Sequence, residues 1–218
     1  MLQFIMLISL IITNFNYARY LERAIRSALY QSIDKSKYEI IVVDDASTDE
    51  SLNILKNYEG DIRIIRFEKN RGLSAARNEG IKKAKGQFVV FLDSDDYIHN
   101  DLLKIQSLFL VENNSINAVS VDYYYVDEKG NHLKHVNAET KPIACGIMFR
   151  KDLLFDIGLY DETFRAREEE DLRIRFIKKY SIYNIILPLY RYRMHQNNLT
   201  KNKKIMSSHS TRLKLKHK

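Results

Sequence analysis

Four apolar, β-branched runs mark the first half of the chain, at residues 4–12, 39–43, 62–67 and 88–92. Their hydrophobicity is continuous rather than alternating, which predicts strands covered on both faces, as in a parallel sheet. Helical patterns fill the gaps. Residues 20–32 place Leu21, Ala24, Ile25, Ala28 and Leu29 along one stripe. Ser47-Thr48-Asp49-Glu50 predicts a capping box ahead of Leu52 and Leu55. A third helix over 74–84 stops at Gly86. Such alternation predicts right-handed βαβ units and an open, doubly wound α/β sheet.

The second half is less regular. Asn100 is expected to cap a helix through Leu110, and residues 118–126 read as a strand followed by a turn at 127–131. A short helix over 151–157 closes at Gly158. Residues 169–180 form another helix with Leu172, Phe176 and Ile177 inward, then a strand lies near 183–187. No linker separates an independent unit, so residues 1–200 are expected to be one domain.

Composition narrows this picture. Hydrophobic content of 45%, with 11% aromatic, is ample for a packed core. The one cysteine, Cys145, excludes an intramolecular disulfide and a cysteine zinc cage. It reads as a small buried hydrophobe in a reducing compartment. The net charge of +7 equals the contribution of Lys201, Lys203, Lys204, Arg212, Lys214, Lys216 and Lys218. A neutral body with a basic tail is not the folded basic face of a nucleic-acid reader. The tail, 201–218, is expected to be solvated and frayed. The sharper reading is a peripheral contact with an anionic membrane, at about 1 kcal/mol per cation. The apolar start, residues 2–12, is shorter than the roughly 20 residues of a spanning helix and lacks a signal-peptide flank, so it reads as a buried strand. A cytoplasmic protein is expected, with the tail allowing contact at the inner face of the membrane.

In doubly wound sheets, ligands bind beyond the carboxyl ends of the strands. Here those ends are polar: Thr13-Asn14-Phe15-Asn16, Asp44-Asp45 and Asp93-Ser94-Asp95-Asp96. Alternation along a strand sends Asp93 and Asp95 to one side. Two hard oxygen ligands suit Mg²⁺ or Mn²⁺ shared with a substrate phosphate. Alone, the pattern also fits a solvated acidic loop. Asp44-Asp45 can accept a hydrogen bond from a base N–H while Phe15 offers a stacking face, or can cap the helix that follows.

Together these segments resemble glycosyltransferase family 2. The resemblance runs through residues 9–16, 41–49, 70–78 and 91–96, and weakens later, where 146–150, 158–162 and 192–200 still look like family segments. It implies a GT-A fold, a Rossmann-like mixed sheet with helices on both faces. Residues 1–110 would be the nucleotide-sugar-binding half and 111–200 the acceptor side. It further implies that Thr13, Phe15 and Asp45 hold the base, most often uracil, and that Asn70 and Arg77 help place the donor. Asp93 would lie near the ribose, Asp95 would bind a divalent metal (Mn²⁺ or Mg²⁺), and His195 would approach the diphosphate or metal. The implied reaction is an inverting transfer of a sugar from a nucleotide-diphosphate donor to a hydroxyl of a glycan or lipid-linked acceptor, in cell-surface polysaccharide synthesis.

The base position departs from the family pattern, a Glu-Asp pair with Arg six residues beyond the Asp. Residues 167–175 read Arg-Glu-Glu-Glu-Asp-Leu-Arg-Ile-Arg. Counting back from Arg175 makes Glu169 the base; pairing Glu170 with Asp171 makes it Asp171. Clustered acids raise one another's pKa, which suits a general base. A receiver-type phosphoacceptor module is the rival, on Asp44-Asp45, Asp93 and Lys141-Pro142, but a complete strand-helix unit precedes the acidic pair. A phosphatase built on Asp93 and Asp95 fits less well, and a family member without activity remains an alternative.

Overall fold

The computed structural model describes residues 8–196, 198 and 203–217, the side chains of 203–205 excepted. The elements in chain order are β1 (Ile8–Asn14), α1 (Ala18–Leu29), β2 (Tyr38–Asp44), α2 (Ser51–Lys56), β3 (Arg63–Arg66), α3 (Leu73–Lys83) and β4 (Phe88–Asp93). They continue with β5 (Tyr97–Ile98), α4 (Leu102–Glu112), β6 (Ala118–Val126), β7 (His132–Val136) and β8 (Met148–Arg150). The last are α5 (Lys151–Asp156), α6 (Glu168–Ile177), β9 (Ile182–Arg193) and α7 (Lys203–Lys216).

The apolar runs became the sheet centre. β1 pairs in parallel with β2 on one side and β4 on the other, and β2 pairs in parallel with β3. Every residue of β1 is buried, so both faces of the central strand are covered. Residues 4–7 of the expected first strand lie outside the described residues. The order β3-β2-β1-β4 puts the topological switch between β1 and β4, where a doubly wound sheet opens a crevice. Thr13 is paired with Asp93 there. Close packing behind them depends on Gly86. Its N–H donates to Ser9 Oγ at 2.9 Å, and an added Cβ would fall 2.5 Å from the Ser9 nitrogen.

Beyond β4 the sheet turns mixed. β8 runs antiparallel to both β4 and β6, β9 lies parallel to β6, and β5 pairs antiparallel with β9. β9 is far longer than the expected strand near 183–187, because Pro188 does not end it. The register with β6 slips instead, from Val121 opposite Ile185 to Asp122 opposite Pro188. Proline lacks the N–H a ladder needs, and a bulge accommodates it.

Three local expectations are corrected. The capping box does not form: α2 starts at Ser51, whose N–H is taken by Asp49 Oδ1 at 3.0 Å. Ser47 Oγ instead accepts the Asn16 N–H, and Glu50 Oε2 accepts from the Asn53 side chain. Asn100 does not cap α4, which starts at Leu102 with the Leu103 N–H bound by Gln31 Oε1. The basic tail is not frayed over its described part. It is α7, and it docks: Lys216 Nζ reaches Asp161 and Asp171 at 2.8 and 2.7 Å, and Arg212 bonds Thr163. Those two cations pair with groups of the body. Lys201 and Lys218 lie outside the described residues, as do the side chains of Lys203 and Lys204. Among the described residues no helix is long and apolar enough to cross a membrane.

Candidate active site

The carboxyl ends of β1 and β2 are tied into one knot. Asp44 Oδ1 accepts from Asn14 Nδ2 at 2.9 Å and its Oδ2 accepts the Ser47 N–H at 3.0 Å. Asn16 Oδ1 accepts the Thr48 N–H at 2.7 Å. Asn16 and Ala46 take positive φ, 58° and 63°, a conformation that costs a side-chain-bearing residue energy and collects at functional sites. Asp45 is buried, and its two oxygens accept the Arg71 and Gly72 N–H groups at 2.6 and 2.7 Å. A carboxylate offers about four acceptor positions, so a base N–H would share an oxygen already engaged once. Asn70, exposed, donates weakly to the Asp45 carbonyl at 3.4 Å. Phe15 is exposed at the mouth, and Thr13 is buried beneath it. Thr13, Phe15 and Asp45, expected to hold the base, lie at the ends of β1 and β2, and Asn70, expected to help place the donor, is tied to Asp45.

The acids after β4 separate into distinct environments. Asp93 is partly open and bonds Arg77 Nη2 at 2.9 Å. Asp95 Oδ2 faces His195 Nε2 at 2.9 Å. Asp96 is buried, accepting the Tyr190 hydroxyl at 2.6 Å and the Arg193 N–H at 2.7 Å. Burial, then the charges of Asp95 and Asp93, hold the Asp96 carboxyl well above the usual range. Asp96, with no role read from sequence, thus ties the acidic loop to β9.

His195 reaches Asp95 although the two lie far apart in sequence. Its ring stacks on Tyr20 with centroids 5.0 Å apart, and Tyr17 meets it edge-on at 5.7 Å. Burial and then the Asp95 and Asp93 charges push the Tyr17 hydroxyl up. Arg193 lies under Tyr20 and donates to the Asp95 carbonyl at 2.7 Å. Sequence reasoning missed Tyr17, Tyr20, Tyr190 and Arg193 as site residues. The spacing of Tyr17 and Tyr20 at a helix start was the available signal.

Arg77 is the second residue expected to help place the donor. It is buried, bridging Asp93 and Glu168, the latter at 2.8 Å through Nη1. This bridge ties the acidic loop to the start of α6, where the four acids take four different fates. Glu168 is buried on Arg77. Glu169 lines a cavity of about 290 Å³ with Tyr160, Lys141 and Arg173. Burial, then the Glu168 charge, pushes its carboxyl up to about 8. Glu170 is held bidentate by Arg167 at 2.6 and 2.8 Å.

Asp171, the other base candidate, is engaged on both oxygens. Its side chain is wholly buried and bonded to Arg175 at 2.7 Å, Lys216 at 2.7 Å and His217 at 2.8 Å. Burial works to raise its pKa, but the hydrogen bonds from Lys216, Arg175 and His217 outweigh it and hold the carboxyl below the usual range. A carboxylate so stabilised is a weak base. Asp171 anchors α7 and the last turns of α6.

The parallel β3-β2-β1-β4 block with its acidic crevice, extended by a mixed sheet, is a GT-A fold. The chain belongs to glycosyltransferase family 2, whose model, Glycosyl transferase family 2, matches residues 9–176. It is 35% identical over 200 residues to an uncharacterised glycosyltransferase of Rickettsia conorii, covering 86% of this chain and 33% of that protein. It is 32% identical over 196 residues to the poly(ribitol-phosphate) β-N-acetylglucosaminyltransferase TarP of Staphylococcus aureus, covering 82% of this chain and 59% of TarP. The crystal structure of S. aureus TarS 1-349 in complex with UDP superposes with a TM-score of 0.76 at 25% identity, covering 87% of this chain and 61% of that one. The chain spans a third to about three fifths of the length of these relatives. Family membership displaces the receiver and phosphatase readings. Lys141, central to the former, lies over the Tyr125 ring, 5.1 Å from its centroid.

Proposed function

We propose that the chain catalyses inverting glycosyl transfer from a UDP-sugar to a hydroxyl of a glycan or lipid-linked acceptor in bacterial cell-surface polysaccharide synthesis. One observation carries it: the crevice acid Asp93 and the helix acid Glu168 share Arg77, so a single buried side chain ties the donor crevice to the helix start that carries Glu169. The UDP bound by TarS and the transferase names of the relatives support the donor and the acceptor class.

In this reading Phe15 stacks on the uracil, Thr13 and Asp45 edge it, Asn70 borders the rim, and Asp93 faces the ribose. No cluster of three protein metal donors occurs among the described residues. Asp95 and His195 are two donors facing each other, and a small hard cation completed by phosphate oxygens and water fits that set. Such an ion supplies charge neutralisation for the departing diphosphate. Arg77 holds the Asp93 side chain in place through their 2.9 Å ion pair. Glu169 takes the proton from the acceptor hydroxyl, which then attacks the anomeric carbon from the face opposite the nucleotide. A carboxyl titrating near 8 is a stronger base than an ordinary glutamate, at the cost of being mostly protonated at neutral pH.

The test is a thermal-shift panel of UDP- and GDP-sugars with and without Mn²⁺. A Mn²⁺-dependent stabilisation by one UDP-sugar, lost in Asp95→Ala, is expected. No stabilisation by any nucleotide sugar would overturn the reading in favour of a family member without activity.

A further inference from the structure

Two cavities adjoin beside α6 and share Pro142, Ile143, Ile147 and Arg173 in their walls. The larger, about 290 Å³, contains Glu169. The smaller, about 160 Å³, runs on toward Asn184 and Cys145. Arg173 stands between them, half-buried. Its guanidinium makes no hydrogen bond or ion pair with any described residue.

Its neighbours are all matched. Arg167 holds Glu170, Arg175 holds Asp171 and two backbone carbonyls, and Arg77 holds Asp93 and Glu168. Desolvating a cation without a partner is costly, so an unmatched guanidinium in a cavity wall fits a missing anion. The lining of the larger cavity brings a second cation: Lys141, exposed, with its ammonium over the Tyr125 ring and no ion pair among the described residues. The acids nearby do not cancel these charges. Glu170 is spent on Arg167, Glu169 is pushed up to about 8, and Glu139, at the rim of the smaller cavity, is exposed to screening solvent.

We propose that Arg173 and Lys141 form an anion subsite for the acceptor, gripping a phosphoryl or carboxyl group carried by the molecule whose hydroxyl meets Glu169. This rests on the glycosyl-transfer reading, which makes the larger cavity the acceptor's. The planar guanidinium fork matches either group bidentately, and the lysine adds a point charge that tolerates either geometry. The smaller cavity gives the acceptor room to continue past Arg173.

The experiment is amide NMR titration of the whole chain with glycerol 3-phosphate and glucuronate, beside their neutral counterparts glycerol and glucose, and separately with UDP. Expected are shifts at residues 139–147 and 169–177 for the anionic compounds alone. Arg173→Gln should weaken that binding about tenfold or more, and Lys141→Gln should weaken it less, while both keep the wild-type response to UDP. Response to only the phosphate or only the carboxylate identifies which group the subsite takes. Equal binding of neutral and anionic compounds, or undiminished binding in Arg173→Gln, overturns the proposal. So does a chain that binds UDP but neither anion. A chain that binds the anions through Arg173 but not UDP keeps the subsite and sinks the donor reading instead.

Discussion

Two acidic regions of this molecule are built by opposite means. At the ends of β1 and β2, Asp44 and Asp45 are held chiefly by backbone N–H groups: Ser47 for one, Arg71 and Gly72 for the other. At the start of α6, Glu168, Glu170 and Asp171 are held by the side chains of Arg77, Arg167, Arg175 and Lys216. Backbone donors fix geometry without adding a formal charge, and so shape a crevice. Side-chain cations neutralise the acids they touch and leave the one they skip, Glu169, to be set by burial and by its neighbour Glu168. Four adjacent acids thereby acquire different chemistry although their composition is nearly uniform.

The largest expected break in this contrast is Glu169→Gln. Transfer should fall about 100- to 10,000-fold with UDP-induced thermal stabilisation intact. In the wild type, kcat/KM should climb with pH and level off above about 8, a limb absent from the variant. Stability runs the other way. The folded state binds this proton more tightly than the unfolded chain, so the contribution is full below the ordinary glutamate range and is lost as pH rises through about 8.

Arg77→Met comes next. It strips the shared cation from Asp93 and Glu168 and should destabilise the fold by about 3–5 kcal/mol, read by urea unfolding. Adding Glu168→Gln to it should recover part of the loss if the pair, rather than packing, carries the cost. Asp45→Ala should cost about 1–3 kcal/mol and weaken UDP binding by releasing Arg71 and Gly72, while the Glu169 pH limb stays in place. The smallest effect belongs to Lys216→Met, about 1 kcal/mol, because Asp171 keeps Arg175 and His217. Activity of that variant should retain the same pH limb. A shifted limb would show that α7 reaches the base, and would erase the distinction between anchor and base drawn here.

The same division governs what was readable in the residues alone. β1, β2 and β4 are continuous apolar runs, and polar residues fall at their ends because a parallel sheet must open there, so crevice acids were placed by local pattern. The tyrosine and arginine shell was not. Tyr190 and Arg193 reach Asp96 from more than ninety residues away, and only the pairing of β9 with β6 and β5 brings them in. The two-residue β5 and three-residue β8 are too short for any periodicity to show. Likewise α7 reads as a charged tail, since the acids that order it, Asp161 and Asp171, sit on distant loops and helices. The choice between Glu169 and Asp171 was open in sequence because spacing counts residues and not partners.

The slip of register at Pro188 has a bearing on solubility. Among the described residues β5 covers the outer edge of β9 at Tyr190 and Arg191, and His99 adds a bond to the Leu189 carbonyl, so the stretch from there toward Ile182 is an unpaired edge carrying exposed Ile186 and Leu187. An apolar edge of that kind invites a second chain to add itself by strand pairing. The bulge at Pro188 bends the strand beside that edge and increases its local twist, which makes it a poorer template for a flat partner strand. Replacing Pro188 with valine would supply an N–H for the β6 ladder and let β9 run flatter, and the cost would appear as self-association at high concentration rather than as lost activity.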